Sequence, residues 1–379
     1  MKLQITLLSV VISLGLSAQK LEKIEPPTWW KGMNMDTVEF MVYGSGIHEL
    51  EASSKTLNII STMALESPNY LFVTAHIPSD AVVGQHKLTF RNTKGRKVGT
   101  LLVGIEARRA KSAERKSFSS ADNIYLLMPD RFSNGNTAND KVKGMLEGPN
   151  RALKGGRHGG DLAGIENHLD YFKELGITAL WLNPALENDM PDYSYHGYAM
   201  TDLYNVDARY GTNEDYKRLS AKAKDLGIGV IMDQVANHIG SYHRWMNDLP
   251  SSDWVNQWEE FTETNHMKVS RFDPHAAEVD QKVFHDGWFV ETMPDLNQRQ
   301  PQLARYLIQN SIWWIEYADL YGIRMDTWPY PDKQFLADWT KGILDEYPNF
   351  NIVGEEWVSD PSLISYWQSD AVRGDSYES

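Results

Sequence analysis

The chain has 379 residues, 42% of them hydrophobic, which is enough for two domains or for one large domain with an appendage. Its 51 acidic residues outnumber its 37 basic residues, and the net charge of −14 excludes a nucleic-acid or anionic-membrane binder and fits a neutral ligand. Cysteine is absent, which excludes disulfides, thiolate metal sites and a cysteine nucleophile.

Residues 1–18 have the pattern of an export signal. Lys2 gives a positive start, the apolar stretch 3–16 is too short to span a bilayer comfortably, and Leu16-Ser17-Ala18 resembles a small-residue cleavage site. A buried N-terminal helix is the alternative. We expect export to the periplasm or the extracellular space, with no membrane span after signal cleavage.

Residues 19–107 are predicted to form an all-β N-terminal domain. Short apolar stretches such as 37–43 and 70–77 end at turn residues, in the manner of an immunoglobulin-like sandwich. Residues 108–122 are basic and rich in serine and are interpreted as a linker. A nucleic-acid patch is the less favoured interpretation, because no aromatic residues are interleaved with the basic ones.

From residue 123 onward, predicted strands alternate with predicted helices. This alternation requires a parallel sheet. Polar residues at the carboxyl ends of the strands favour an α/β fold of the (β/α)8 TIM-barrel type over a doubly wound sheet, since no glycine-rich loop follows Met128. About five strands of eight are recognisable in residues 123–379, so we expect an incomplete barrel. The predicted strands are 124–128, 178–182, 229–232, one around Arg324 and 352–353, and the predicted helices are 162–175, 213–226, 301–321 and 332–347.

Two of the predicted strands end in acidic residues. Arg324 and Asp326 share one face of their strand, and a neighbouring arginine favours the ionised form of a carboxylate. The next strand ends in Gly354-Glu355-Glu356. Two carboxyl groups on separate strand ends are what glycoside hydrolysis requires. A structural ion pair is the alternative for Arg324 and Asp326.

Five segments together make the chain similar to the α-amylase family of glycoside hydrolases (family 13), in its neopullulanase and cyclomaltodextrinase branch. The resemblance implies a retaining enzyme that cleaves α-1,4-glucosidic bonds of maltooligosaccharides, cyclodextrins or pullulan and starch fragments. The segments are Tyr195-His196-Gly197-Tyr198, Asp233-Gln234-Val235-Ala236-Asn237-His238, Met293-Pro294-Asp295-Leu296-Asn297, Gly322-Ile323-Arg324-Met325-Asp326 and Gly354-Glu355-Glu356-Trp357.

The resemblance also assigns roles to residues of this chain. It implies that Asp326 is the nucleophile, that Glu355 is the acid and base, and that Arg324 keeps Asp326 ionised. Glu356 is the rival acid, but adjacent strand residues face opposite ways, so only one of the two can point into the site. Four further residues are expected to bind the substrate, Tyr198 by stacking under the sugar and the histidines through its hydroxyls: His196, Tyr198, His238 and Trp328.

Residues 240–300 are expected to cover the substrate as an insertion of the barrel. The stretch contains Trp245, Trp254, Trp258 and Trp288. Aromatic side chains stack on sugar rings, but core packing is the alternative explanation for two or more of these tryptophans.

A structural calcium ion is a further implication of the resemblance, because the branch often binds calcium in the oxygen-rich loop 130–140. Asn136 stands where an aspartate is common, which would lower the affinity. An Asn- and Gly-rich turn without an ion is the alternative, and catalysis is expected to need no metal. The implied ligands are Asn134, Asn136, Asn139, Asp140, the Gly159 carbonyl and Asp161.

Two features of the family are not found in these 379 residues. The family's third acid lies in an Asn-His-Asp motif after strand seven, and a β-domain follows the barrel. We therefore expect a C-terminally truncated chain that has little or no activity by itself. The alternative function is a non-catalytic glycan-binding or interaction protein on an amylase scaffold. The resemblance also allows a homodimer through the N-terminal domain.

Overall fold

A computed structural model describes residues 19–368. The predicted export signal, residues 1–18, lies outside this range, so its prediction stands as it was made. Across the described residues, the structure contains no helix with the length and apolarity needed to cross a membrane.

The N-terminal domain is a sandwich of two four-stranded sheets, which confirms the predicted all-β fold. One sheet has the strand order β1-β3-β6-β5 and the other β2-β8-β7-β4. Their strands are β1 (Lys20–Glu25), β2 (Thr28–Lys31), β3 (Thr37–Ser45), β4 (Glu51–Ser54), β5 (Asn58–Met63), β6 (Tyr70–His76), β7 (Gly84–Arg91) and β8 (Lys97–Ala107).

Alternating apolar residues build the core of the sandwich. Val38, Phe40 and Val42 occupy every second position of β3 and are fully buried, as are Leu88 and Phe90 of β7. Side chains two apart lie on one face of a strand, so each sheet presents an apolar face to the shared core.

The second domain is built on five parallel strands in the order β9-β10-β11-β12-β13. Neighbouring strands are in parallel register, so their carboxyl ends meet along one edge. These are strands of the predicted incomplete (β/α) barrel. Their bounds are β9 (Ile124–Leu127), β10 (Ala179–Leu182), β11 (Gly229–Gln234), β12 (Gly322–Met325) and β13 (Ile352–Gly354).

Helices connect these strands. The α-helices are α1 (Pro129–Phe132), α2 (Leu162–Glu166), α3 (Leu169–Glu174), α4 (Asn213–Asp225), α5 (Val269–Phe272), α6 (Glu278–Asp286), α7 (Pro301–Ala318), α8 (Lys333–Glu346) and α9 (Pro361–Ser365). Short 3-10 helices cover Ser112–Glu114, Ser194–His196 and Arg244–Asn247.

One predicted helix is divided in the structure, because residues 162–175 form the two helices α2 and α3. The helix predicted over 213–226 is present as α4, and its N-cap is Thr212, which forms a capping box with Asp215. Asn213 is the first helical residue, and its Oδ1 accepts the Val206 N–H at 2.8 Å.

The basic segment 108–122 joins the two domains and places two buried side chains, Ser112 and Arg115, against the barrel. The Arg115 Nη2 atom lies 3.0 Å from Glu316 Oε2 of α7, and both side chains are almost fully buried. The Ser112 hydroxyl donates to the same oxygen at 2.5 Å, and Arg108 pairs with Glu346 of α8. We call this segment the strap.

The sandwich contacts the insertion of residues 240–300 through an ion pair, hydrogen bonds and aromatic rings. Arg244 pairs with Glu25 of β1, and the Asp248 carboxylate accepts hydrogen bonds from Ser67 and Asn69, each at 2.8 Å. The Trp254 ring lies 6.0 Å from the Phe72 ring of β6. The two domains are therefore joined by charged and aromatic contacts through this insertion.

Candidate active site

A cleft of about 480 Å³ lies at the carboxyl ends of the parallel strands. This edge is where the active sites of TIM-barrel enzymes are found. The cleft is lined by His196, Tyr198, His238, Lys268, Phe289, Met293, Arg324, Asp326, Thr327, Tyr330, Glu355 and Trp357.

One guanidinium group connects three carboxyl groups in this cleft. The Arg324 Nη1 atom lies 2.6 Å from Asp233 Oδ1 and 2.7 Å from Asp326 Oδ1, and Nη2 lies 2.6 Å from Glu355 Oε1. Arg324 is the register partner of Asp233 on β11, and Glu355 directly follows β13. Three adjacent strands thus deliver the cluster, and the two carboxyls predicted from the sequence lie in the same compartment.

Glu355 and Glu356 point to different sides of the strand end. Glu355 lines the cleft, and its Oε2 accepts the Thr327 N–H at 2.9 Å. Glu356 instead lies 3.4 Å from Lys268 and accepts a hydrogen bond from Trp367 at 2.9 Å. The alternation along the chain separates the two acids, as the sequence suggested.

The two catalytic candidates differ in their affinity for a proton. Burial raises the pKa of Asp326 well above its ordinary value, and Asp233 adds to this effect while Arg324 opposes it. Burial acts on Glu355 as well, but the Thr327 N–H and Arg324 outweigh it and lower the pKa of Glu355. The folded structure thus makes Asp326 the weaker acid of the two. Arg324 lowers the pKa of Asp326, which is the expected direction, but burial has the larger effect.

Thr327 has a strained backbone directly after Asp326. Its φ of 48° lies in the left-handed region, which β-branched residues rarely adopt. This conformation turns the Thr327 N–H toward Glu355. The strain is thus located where two neighbouring strand ends place their carboxyl groups side by side.

Two histidines face the cleft, His238 fully buried and His196 half-buried. Burial lowers the pKa of His196 and of His238 to about 4. The Tyr198 N–H donates to His196 Nδ1 at 2.9 Å, which leaves Nε2 as the protonated nitrogen. The Nε2 atom of His238 is buried without a hydrogen-bond partner in the described structure. Both rings can therefore bind an uncharged hydroxyl group.

Tyr198 and Asp233 form the floor of the cluster. The Tyr198 hydroxyl donates to Asp233 Oδ2 at 3.0 Å, and the Trp181 indole N–H donates to the same oxygen at 3.0 Å. Burial raises the pKa of Asp233 to about 6, against the opposing effect of Arg324. The Asp233 carboxyl thus orients the Tyr198 ring and the guanidinium group together.

Trp328 does not line the cleft, contrary to its expected role in substrate binding. Its side chain is 5% exposed and packs against Trp339 and Trp367 on the other side of the strand end. Thr327 turns the chain in its left-handed conformation, and the side chain that follows enters the core. In the insertion, Trp245 and Trp254 are also fully buried, so core packing accounts for them.

Sequence reasoning missed several residues of the cleft wall. Lys268, Phe289 and Tyr330 line the cleft. No sequence motif indicated Lys268 or Phe289. Met293 lies in a segment that resembled the family, and this resemblance was the available signal. The same segment supports His238, because the Leu296 N–H donates to the Asn237 carbonyl at 2.8 Å.

Comparison with known proteins agrees with this geometry. Residues 126–378 match the family described as "Alpha amylase, catalytic domain", and residues 23–102 match "Cyclomaltodextrinase, N-terminal". The chain belongs to the α-amylase family. Its barrel strands and its sandwich correspond to these two matched regions.

Individual α-amylase family members show the same similarity. The chain is 32% identical over 265 residues to a cyclomaltodextrinase of Thermoanaerobacter pseudethanolicus, covering 68% of this chain and 41% of that protein. It is 31% identical over 249 residues to a β/α-amylase of Paenibacillus polymyxa, covering 65% and 19%. The structure of an α-amylase from Geobacillus thermoleovorans in complex with acarbose matches with a TM-score of 0.53 and 36% identity, covering 67% of this chain and 50% of that one. This α-amylase family chain spans less than half the length of the two curated relatives.

The loop that suggested a calcium site in this α-amylase family member contains buried oxygens without partners. Asn134 Oδ1 and Asn139 Oδ1 form no hydrogen bond within the described structure. Asp140 Oδ1 lies 2.6 Å from Asn134 Nδ2, and a Cβ atom on Gly159 would lie 2.8 Å from the same oxygen. These four residues fit a cation that prefers oxygen ligands.

Two of the expected calcium ligands have other partners. The Asp161 carboxylate caps α2 and accepts the N–H groups of Gly135, Asn136 and Gly164 at 2.6 to 2.9 Å. Asn136 is exposed, and its Oδ1 accepts the Ala138 N–H at 3.2 Å. In residues 19–368 no group of three or more His, Cys, Asp or Glu residues could hold a metal, so the site depends on amide and carbonyl oxygens.

Proposed function

We propose that this protein is a retaining glycoside hydrolase that cleaves α-1,4-glucosidic bonds in maltooligosaccharides, cyclodextrins or pullulan and starch fragments. The observation that supports this most is the pair of Asp326 and Glu355, delivered by adjacent strands into one cleft and bound to the same guanidinium. Closely spaced carboxyls are the arrangement that retaining enzymes use.

In the first step, an Asp326 oxygen bonds to the anomeric carbon while the bond from that carbon to the glycosidic oxygen breaks. The proton of Glu355 passes to the departing oxygen. In the second step, Glu355 removes a proton from water, the water oxygen bonds to the anomeric carbon, and the ester to Asp326 breaks.

The first step requires Glu355 to be protonated and Asp326 to be ionised. The Trp357 indole N–H donates to Glu355 Oε1 at 2.6 Å and favours its ionised form. Trp357 is 80% exposed and lines the cleft, so an entering sugar can displace this donor. Its displacement removes one of the groups that lower the pKa of Glu355 and so favours the protonated acid that the first step needs.

The cleft suits an uncharged polyol. The neutral rings of His196 and His238 offer nitrogen atoms to hydroxyl groups, and the Tyr198 and Phe289 rings supply aromatic faces. The protein's net charge of −14 disfavours an anionic substrate at the same site.

Asp326→Asn tests the proposal in the protein expressed from its complete gene. We expect the release of reducing sugar from maltoheptaose or β-cyclodextrin to fall by at least about 10³-fold, because the amide cannot form the glycosyl ester. Asp170→Asn, an exposed change on α3, is the matched control and should retain the parental rate.

A fluorinated glycosyl fluoride that accumulates the intermediate should label Asp326, and mass spectrometry of the peptide would identify the ester. Unchanged hydrolysis by Asp326→Asn, or a label on another residue, would disprove the assignment.

A non-catalytic glycan binder is the second candidate function. The pKa shifts of the two acids favour it, because the pKa of Asp326 is raised and that of Glu355 is lowered, whereas a nucleophile and an acid need the opposite directions. Calorimetry with β-cyclodextrin separates the two functions. Saturable heat without any product indicates a binding protein, whereas turnover rejects that function.

We further propose that calcium binds the loop through Asn134, Asn139, Asp140 and the Gly159 carbonyl, where it would supply structural stability. A ligand at 100 times its dissociation constant stabilises the native state by about 3 kcal/mol. We expect millimolar calcium to raise the melting temperature relative to EDTA, and Asp140→Asn to remove most of this difference. Equal melting temperatures in calcium and EDTA would contradict the site.

Export stays a proposal based on residues 1–18. N-terminal sequencing of the mature protein should begin at Gln19 if the signal is cleaved after Ala18. A mature protein that begins at Met1 would refute it. The homodimer through the N-terminal domain likewise stays a prediction, which sedimentation analysis can check.

A further inference from the structure

Lys268 connects the insertion to the residues that follow Glu355. Its Nζ atom donates to the Trp357 carbonyl at 2.8 Å and lies 3.4 Å from Glu356 Oε1. The side chains of Lys268 and Glu356 are only 11% and 5% exposed. An ion pair at this depth is screened less by solvent than a surface pair.

Lys268 is presented by a tight turn of the insertion. The Asn265 side chain accepts the Met267 N–H at 2.9 Å, and His266 has a left-handed φ of 54°. The His266 ring is hydrogen-bonded to the Tyr330 hydroxyl at 2.9 Å and packs edge-on against Phe289. The backbone that carries Lys268 is thus fixed against two residues of the cleft wall.

The segment held by Lys268 has little regular structure of its own. Strand β13 ends at Gly354, and residues 355–360 form neither helix nor strand. The Trp357 side chain is largely exposed, yet its indole N–H reaches back to Glu355. Contacts from the insertion to residues 356 and 357 therefore add to those that Arg324 and Thr327 make with the Glu355 carboxyl itself.

We infer that Lys268 is a positioning residue for Glu355: by holding the Trp357 carbonyl and the Glu356 carboxylate, it couples the insertion to the placement of the acid group. Lys268 acts through the main chain of residues 355–357 and forms no direct bond to Glu355 in the structure. The inference rests on the proposed hydrolase function, in which Glu355 protonates the leaving oxygen.

The test compares substrates that need an acid with one that does not. Fluoride leaves a glycosyl carbon without protonation, whereas the oxygen of a maltooligosaccharide requires it. In the protein expressed from its complete gene, Lys268→Met should lower kcat/KM for maltoheptaose about 10- to 100-fold, the typical cost of a misplaced catalytic group. The kcat/KM for α-maltosyl fluoride should change less than about threefold, because this parameter reports only the steps up to the glycosyl-enzyme.

Lys282→Met is the matched control, since Lys282 lies on α6 of the same insertion and pairs with Asp286 at 2.7 Å outside the cleft. It should behave like the parent on both substrates. If Lys268→Met does not fold, Lys268→Gln removes the charge but retains a donor for the Trp357 carbonyl, and the same dependence on the leaving group is expected.

Glu355→Gln separates failure of the inference from failure of the proposed function. The inference fails alone if Glu355→Gln shows the strong dependence on the leaving group but Lys268→Met does not. Lys268 does not position the acid if Lys268→Met loses activity equally on both substrates, or if it retains the parental activity on both. If Glu355→Gln itself discriminates no more than the parent, or the parent hydrolyses neither substrate, the assignment of Glu355 fails and the inference fails with it.

Discussion

At the scale of single residues, the electrostatics of the cleft depend on one arginine that contacts several carboxyl groups. Arg324 contacts three carboxyls with one positive charge, and burial opposes it by raising their pKa values. Burial also lowers the pKa of the neighbouring histidines and favours their neutral form. Burial therefore disfavours charge on both the carboxyl groups and the imidazole rings of the cleft.

The neutrality of His238 predicts a pH-dependent stability. Burial lowers its pKa from 6.5 to about 4 in the folded chain. The unfolded chain therefore binds the proton first as the pH falls, and this part of the stability is lost between pH 6.5 and 4. In His238→Gln, the loss of unfolding free energy from pH 7 to pH 4.5 should be smaller by about 2 kcal/mol.

Urea unfolding at the two pH values measures this difference. His275→Gln, at an exposed position, is the control and should follow the parental protein. A loss in His238→Gln as large as the parental loss would show that His238 is accessible to protons in the folded state.

At the scale of elements, the strap is a basic segment whose buried side chains bind it to a helix of the barrel. Arg115 is buried against Glu316 of α7, and Ser112 bonds the same carboxylate. Removing one partner of a buried pair leaves the other charge uncompensated, at a cost of about 3 kcal/mol. The strap therefore contributes to the stability of the barrel helices that it contacts.

Arg115→Met should lower the unfolding free energy of the protein by about this amount, as measured by urea denaturation. The adjacent Lys116→Met, at an exposed position, should change it by less than about 0.5 kcal/mol. Equal effects of the two substitutions would indicate that the strap's buried charge does not matter for stability.

The strap also illustrates a kind of contact that the sequence alone does not predict. The parallel strands and the sandwich were predictable because apolar periodicity is local, and Asp326 and Glu355 because each follows a strand in a recognisable segment. The pairing of Arg115 with Glu316 joins residues 201 positions apart, so composition alone indicated a linker. The contacts of Lys268 could not be predicted for the same reason, since its partners lie 88 and 89 residues away in the chain.

At the scale of the whole molecule, the sandwich contacts both the insertion and helix α7 of the barrel. Arg244 is half-buried, pairs with the buried Glu25 of β1 and lies over the Tyr43 ring, and the Tyr306 hydroxyl donates to the same Glu25 carboxylate. Glu25 also lies 2.6 Å from Lys23. This charged contact is the centre of a surface that includes Asp248 and Trp254 of the same insertion.

Arg244→Met should weaken the coupling of the two domains. We expect calorimetry to show a sandwich transition that separates from the barrel transition, with a total loss of about 3 kcal/mol. Arg299→Met, in the same insertion but away from the sandwich, should retain the parental transitions. A single unchanged transition in Arg244→Met would contradict this account of the interface.

The insertion supported by the sandwich also supplies Lys268, Phe289 and Met293 to the cleft. The N-terminal domain consequently supports one wall of the cleft, although none of the residues that line the cleft belongs to this domain. Under the proposed function, substitutions in the sandwich face that contacts the insertion are therefore expected to change substrate preference without changing any residue of the cleft.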